Sequence, residues 1–122
     1  IMIDFTGQVA SESIGAEQYS GTGGQSDTAI GATEGLDGKG KSIIACRSTA
    51  RAGQISTIVP VLPAGTAVTL HRSNTDYVVT EHGSVRLTGL TVKERTLALI
   101  SIAHPDFRES LINQAREIGY ID

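Results

Sequence analysis

Apolar positions come in short, strand-like runs up to about residue 90 and at helical spacing beyond it. Ile1–Phe5 reads as a strand, and Gln8–Ser11 as a second, shorter one. Gly21–Gln25 reads as a loop leading into a short helix over Ser26–Thr33. A side-chain oxygen of Ser26 or Asp27 is expected to cap that helix. Lys41–Cys46 has an unbroken apolar centre (Ile43, Ile44, Ala45, Cys46), the pattern of a strand buried on both faces. Ile55–Val61 is a second apolar stretch, ended by Pro60 and Pro63. Ala67–His71 and Tyr77–Thr80 read as two more strands.

The helical end has clearer punctuation. Thr91-Val92-Lys93-Glu94 fits a capping box, in which Thr91 and Glu94 satisfy each other's free amides. Leu97, Ile100 and then Ala103 or His104 follow at helical spacing. Pro105 marks the start of another helix, with Asp106 and Glu109 placed to favour its dipole. Phe107, Leu111, Ala115 and Ile118 form its apolar stripe, and Gly119 closes it. Both helices are expected to pack on the sheet through Leu97, Ile100, Phe107, Leu111 and Ile118. Strands first and helices last predict the α/β class, an open twisted and largely parallel sheet flanked by helices.

Composition narrows the picture. The 122 residues predict one domain. With glycine counted and tyrosine left out, about 48% of residues are apolar, inside the globular range of roughly 45–50%. Five residues are aromatic and none is Trp, so the core is expected to be aliphatic. The net charge of −3 is unclustered, which argues against a nucleic-acid face. The single cysteine, Cys46, excludes an internal disulfide and points to a reducing compartment, so a cytoplasmic location is expected. Cys46 itself reads as a buried small hydrophobe. No apolar run approaches the ~18 residues that a membrane span needs, so no membrane partner is expected. The chain opens inside a predicted strand, so it is expected to be a piece of a longer protein.

Nine of the fourteen glycines lie within residues 1–40. The sharpest feature among them is Ser20-Gly21-Thr22-Gly23-Gly24-Gln25, just before a helix. Glycines there let backbone N–H groups face an anion, and the helix N-terminus adds positive potential. The same arrangement can stabilise an oxyanion in acyl transfer. On spacing alone, a plain glycine-rich turn is the more frequent meaning of such a motif. Dinucleotide and Walker spacings are both absent.

Glu81 stands at the end of an apolar strand in Asp76-Tyr77-Val78-Val79-Thr80-Glu81-His82-Gly83. That is where α/β proteins place ligand contacts, although a solvated strand-end acid is the commoner case. It could accept hydrogen bonds, act as a base or orient another carboxylate. His82 beside it reads as a surface histidine. Arg51, in Ser48-Thr49-Ala50-Arg51, could clamp a phosphate or carboxylate, or simply be solvated. His71, His82 and His104 have no metal-ligand spacing, so no metal is expected.

These segments resemble a known family. The blocks are Gly-Gln-Val-x-Ser-Glu-Ser-Ile-Gly (7–15), Ser-Gly-Thr-Gly-Gly-Gln (20–25), Lys-Ser-Ile-Ile-Ala (41–45), Ser-Thr-Ala (48–50), Ile-Val-Pro (58–60), Asp-Tyr-Val-Val-Thr-Glu-x-Gly (76–83) and Ala-His-Pro-Asp-Phe-Arg-Glu-x-Leu (103–111). Together they look like the C-terminal domain of the acetyl-CoA hydrolase/transferase family, which includes 4-hydroxybutyrate, acetate and succinate CoA-transferases. Any one block is weak, but seven in order along the chain are specific.

The resemblance implies that residues 1–122 are one domain, the C-terminal half of a longer two-domain enzyme. It implies an acyl-CoA:carboxylate CoA-transferase that works through a glutamyl-CoA thioester. The nucleophilic glutamate would lie upstream of this chain, so the chain alone is expected to be inactive. Coenzyme A is then a substrate, and no bound cofactor is expected. The implied partners are an acyl-CoA, a small carboxylate, the N-terminal half and further copies of the full-length enzyme. Carried over by position, Gly23, Gly24 and Glu81 are the catalytic candidates, with the Gly24 amide as oxyanion donor. Gly21, Gln25, Arg51 and His82 are the candidates for CoA or substrate binding. Gly24 is also expected to need a backbone angle that suits only glycine. His82, Arg47 and the run Asp27-Thr28-Ala29-Ile30 depart from the usual pattern, which leaves substrate choice open. Two other readings stand beside the transferase: an acyl-CoA hydrolase, and a non-catalytic α/β module that binds an anion.

Overall fold

Residues 1–122 are described by a computed structural model. The first strand, β1 (Met2–Asp4), carries Ile3 into the core, and Phe5 follows it; both are fully buried. β1 lies between β2 (Val9–Ala10), antiparallel to it, and β8 (Ile58–Val59), parallel to it. The second sheet has the same mixture. Its centre is β9 (Tyr77–Thr80), with β10 (Gly83–Arg86) antiparallel on one side and β5 (Ile43–Ala45) parallel on the other. Two small hairpins complete the strands: β3 (Ser13–Ile14) with β4 (Glu17–Gln18), and β6 (Thr49–Ala50) with β7 (Ile55–Ser56).

The expected α/β class is what the chain adopts. The sheet is divided, however, into two three-stranded pieces, each with one parallel and one antiparallel pair. Parallel pairing is therefore confined to β1–β8 and β5–β9. The Ile55–Val61 stretch is split at Thr57, which turns its N–H to Ser48 O and its hydroxyl to Arg47 O. Residues 67–71 form no strand. Only a bridge between Val9 and Leu70 remains, because Val9 O accepts from both Thr69 and Leu70. Lys41–Cys46 also departs from expectation. Only Ile44 of β5 is buried, at 6% exposure, while Ile43 and Ala45 face outward.

Three helices cover the sheets. α1 (Gln25–Thr33) starts one residue early, with Gly24 at its N-cap and no side chain capping it. Ser26 and Asp27 thus fall inside the first turn and do not cap. α2 (Val92–Ser101) has the expected capping box, with Thr91 Oγ accepting from Glu94 N–H and Glu94 Oε2 accepting from Thr91 N–H. α3 (Pro105–Glu117) begins at proline, with His104 Nδ1 accepting from Asp106 N–H at 3.2 Å. Gly119 closes it, donating to Arg116 O.

The helical face differs from the expected one. α2 buries Thr96, Leu99 and Ile100, and Leu97 is 45% exposed. In α3, Leu111 and Ala115 are buried, Phe107 is half-buried and Ile118 is exposed. The buried face of α2 keeps Ile100 and takes Leu99 in place of Leu97; both leucines are apolar and only packing selects between them. The core that results joins Ile3, Phe5, Ile58, Val78, Leu87 and Leu99 across both sheets and the helix pair.

Candidate functional site

The carboxylate of Glu81 is held by a residue 33 positions away in the chain. Ser48, fully buried after β5, donates its N–H to Glu81 Oε2 at 3.0 Å and to Oε1 at 3.2 Å, and its hydroxyl also donates to Oε1. Ser48 is itself fixed, because its carbonyl accepts from Thr57 N–H at 3.0 Å. These donors stabilise the ionised form. The Ser48 hydroxyl is the largest influence and the nearby His82 the smallest, and together they lower the Glu81 pKa to about 2. Glu81 is therefore charged throughout the physiological range. Of the roles open to it, hydrogen-bond acceptor and orienter fit that state; a general base at neutral pH would need a pKa nearer the working pH.

Local structure explains where Glu81 points. Thr80 pairs with Gly83, so Glu81 and His82 are the two residues of the β9–β10 turn. Gly83 has φ 144°, and a methyl there would stand 3.3 Å from Ile102 Cγ2. Thr80 ties the turn to the helices: its hydroxyl donates to Ile102 O at 2.6 Å and accepts from His82 N–H at 3.1 Å. His82 Nε2 is 3.8 Å from Glu81 Oε1. The His82 ring meets His104 edge-on at 5.2 Å, and His104 meets Phe107 at 6.3 Å. The turn thus rests on the α2–α3 corner through a row of rings.

Arg51 lies at the tip of the β6–β7 hairpin, three residues after Ser48. It is exposed and has φ 50°, with Ala52 beside it at φ 54°. Left-handed angles at two successive non-glycine residues are uncommon. The Arg51 guanidinium forms no hydrogen bond or ion pair, so its charge is free.

The glycine loop is a separate feature. Ser20 is anchored by its N–H to Glu12 O at 3.1 Å, and the chain is then open to solvent through Gly21, Gly23 and Gly24. A methyl at any of the three would meet no atom within 4 Å. Gly24 has φ −86° and ψ 7°, which any residue can adopt, so the expected special angle is absent. Gln25 Oε1 accepts from the Ser11 hydroxyl, fixing the start of α1 to the β2–β3 connection. Because no side chain caps α1, the amides of its first turn face outward beside the glycines. No hydrogen bond or ion pair joins this loop to the Glu81 cluster.

Cys46 is half-buried, and burial raises its thiol pKa above 9.0, in keeping with an inert side chain. No helix is long and apolar enough to cross a membrane. The sequence pattern assigns Ser48 and His104 no part in this site. Ser48 carries only the weak signal of a small polar residue directly after an apolar strand, and His104 the stronger one of preceding a helix-starting proline.

Comparison with known proteins bears on this arrangement. The chain is 52% identical to the 4-hydroxybutyrate coenzyme A transferase of Clostridium kluyveri, over 96% of the chain and 27% of that protein. It is 48% identical to the succinyl-CoA:cyclohexane-1-carboxylate CoA transferase of Geobacter metallireducens, over 98% of the chain and 27% of that protein. The crystal structure of RipA from Yersinia pestis superposes with a TM-score of 0.87 at 45% identity, over 98% of the chain and 26% of RipA. The chain thus spans about a quarter of the length of the proteins it matches. Residues 1–115 match the acetyl-CoA hydrolase/transferase C-terminal domain as a family, a match that takes in the glycine loop, Ser48, Arg51 and the Glu81 turn; the chain belongs to that family.

Proposed function

We propose that this chain is part of an acyl-CoA:carboxylate CoA-transferase, whose nucleophilic glutamate lies outside residues 1–122. In the first step that glutamate attacks the thioester carbonyl. The C–S bond breaks, CoA leaves as thiolate, and an acyl-glutamyl anhydride forms. The thiolate then attacks the glutamyl carbonyl and releases the acyl group as a carboxylate, leaving glutamyl-CoA. An acceptor carboxylate attacks this thioester, and the thiolate finally adds to the acceptor's carbonyl, which frees the glutamate. Each carbonyl addition places negative charge on an oxygen.

The observation that carries the reading is the uncapped start of α1 behind a solvent-open glycine loop, in a chain of this family. Backbone N–H groups that lack internal partners suit a developing oxyanion. In this reading Gly23 and Gly24 donate to that oxygen. Gly21, Gln25 and His82 line the approach of substrate or CoA, and the free Arg51 charge meets a phosphate or carboxylate. Glu81, kept ionised by Ser48, orients His82 and the groups around it.

The test uses the full-length protein with an acyl-CoA, with and without candidate acceptor carboxylates. The expected result is a new acyl-CoA that forms only with acceptor. Without acceptor, a CoA adduct should be found on a glutamate outside this segment by mass spectrometry. Free thiol released at the same rate without acceptor would make the enzyme a hydrolase. Anion binding with no turnover of any acyl-CoA would make the segment a binding module.

A further inference from the structure

Helix α3 is capped by an unusual residue. Ser, Thr, Asp and Asn are the strongly preferred N-caps, because a short side-chain oxygen reaches the free amides of the first turn. Here the cap is His104, whose Nδ1 accepts from Asp106 N–H at 3.2 Å. Capping alone does not call for an imidazole. The ring stands at the corner between α2 and α3, where Ile102 O accepts from the Thr80 hydroxyl at 2.6 Å and Ala103 O accepts from Arg108 Nε at 2.9 Å. Phe107 meets it edge-on from within α3, at 6.3 Å and 75°. Tied at one nitrogen and flanked by Phe107, the His104 ring takes its plane and position from α3.

The other neighbour of this ring is His82, at 5.2 Å and an interplanar angle of 88°. Aromatic rings favour such an edge-to-face arrangement, with centroids about 4.5–7 Å apart. His82 has few other restraints. Its backbone N–H donates to the Thr80 hydroxyl, but neither ring nitrogen makes a hydrogen bond, and Nε2 lies 3.8 Å from Glu81 Oε1. The side chains of His82 and His104 are 26% and 34% exposed, so much of each ring is covered. A side chain with two free torsions stays in one rotamer only where its surroundings select it. Glu81 supplies charge on one side of His82 but is itself bound to Ser48. The ring of His104 supplies the packing on the other.

We infer that His104 is a positioning residue for the CoA-transfer reaction: its Nδ1 caps α3 while its ring holds the His82 ring in a single orientation beside Glu81. His104 acts through His82 and does not touch substrate. In the transferase reading, on which the inference rests, His82 lines the approach of acyl-CoA or carboxylate. A His82 ring already set in its binding orientation loses less freedom when substrate arrives. Without the His104 ring, that ordering falls on the binding step, so the effect appears in KM more than in kcat. One histidine thereby fixes both the start of α3 and the side chain at the tip of the β9–β10 turn.

The test uses the full-length enzyme and separates the cap from the ring. His104→Asn keeps an acceptor for Asp106 N–H and removes the ring. His104→Phe keeps a ring and removes the acceptor. An edge-to-face pair is worth up to about tenfold in an equilibrium, so His104→Asn should lower kcat/KM for acyl-CoA by about 3–10-fold, chiefly through KM, with the melting temperature held within about two degrees. His104→Phe should recover kcat/KM to within about twofold, while the melting temperature falls by several degrees. In a His82→Ala background, His104→Asn should have no further effect on kcat/KM, because the ring it held is gone. NMR of carbon-13-labelled histidine needs no turnover. The His82 Cε1–H signal, identified by its loss in His82→Ala, should shift and broaden in His104→Asn. An unchanged His82 signal would overturn the inference, whether or not the enzyme transfers CoA. Equal losses of kcat/KM in the Asn and Phe variants would overturn it too, as would a loss that persists undiminished in the His82→Ala background. A shifted His82 signal in an enzyme that transfers no CoA would refute the transferase reading and support the hold of His104 on His82.

Discussion

Replacing Gly24 by alanine in the full-length enzyme isolates the glycine loop's chemistry from its structure. Gly24 has φ −86°, so alanine fits the backbone without strain, and its methyl meets no protein atom within 4 Å. The remaining structural cost is that of a poorer N-cap, about 0.5–1 kcal/mol. The melting temperature should therefore fall by only a few degrees. The effect on turnover should be much larger. A reacting carbonyl held against these amides must lie within hydrogen-bond distance of the backbone, in the space that the methyl occupies. Loss of one such donor lowers kcat by about 10²–10³, or roughly 2.7–4 kcal/mol. Steady-state kinetics with saturating acyl-CoA, together with thermal melts, separate the two effects. A near-normal kcat would refute the oxyanion role and leave a plain turn. Collapse of the fold would refute the claim that position 24 is structurally open.

Further outcomes follow from the same geometry. Ser48→Ala removes the strongest influence on Glu81, so its pKa should rise from about 2 toward the ordinary 4.5, as read by carbon-13 NMR titration of the side chain. Because the folded-state pKa lies below the unfolded one, Glu81 stabilises the fold above pH 4.5 and loses that effect as pH falls toward 2. Glu81→Gln should flatten this part of a pH-stability curve, and an unchanged slope would contradict it. Leu99→Ala should cost about 2–5 kcal/mol and Leu97→Ala under about 1 kcal/mol in denaturant melts; equal costs would reverse the assignment of the α2 face. Phe107→Ala, at a half-buried site, should fall below the ~3–5 kcal/mol of a fully buried aromatic.

What could be read from the sequence was mostly local. The α2 capping box needs only Thr91 and Glu94, three residues apart, and the α3 start needs only Pro105 after His104. Both are where the pattern put them. Strands of two or three residues leave too short a period to detect, which hid β3, β4 and the β6–β7 hairpin. In residues 41–46 the apolar pattern records burial that Ile44 alone attains within this chain. The start of α1 lies one residue before the expected one, although Ser26 and Asp27 are good caps in isolation. The helix instead begins with Thr28 N–H donating to Gly24 O at 2.9 Å. In the candidate site, the end of an apolar strand marks Glu81 as a possible ligand contact, and the family resemblance adds its catalytic role. Its link to Ser48 was invisible, since it depends on β5 and β9 lying side by side.

The Thr80 hydroxyl, bonded both to Ile102 O and to His82 N–H, makes the α2–α3 corner the reference point from which the Glu81 turn is measured. Positional accuracy at the carboxylate is thus inherited from the helix pair as much as from the sheet. A displacement of the corner is passed through the Thr80 bonds and the His104 ring to residues 81 and 82. Mutations at Ile102 or Ala103, both buried beneath the turn, should therefore behave as tuning positions for it, altering its alignment while leaving every group in it intact.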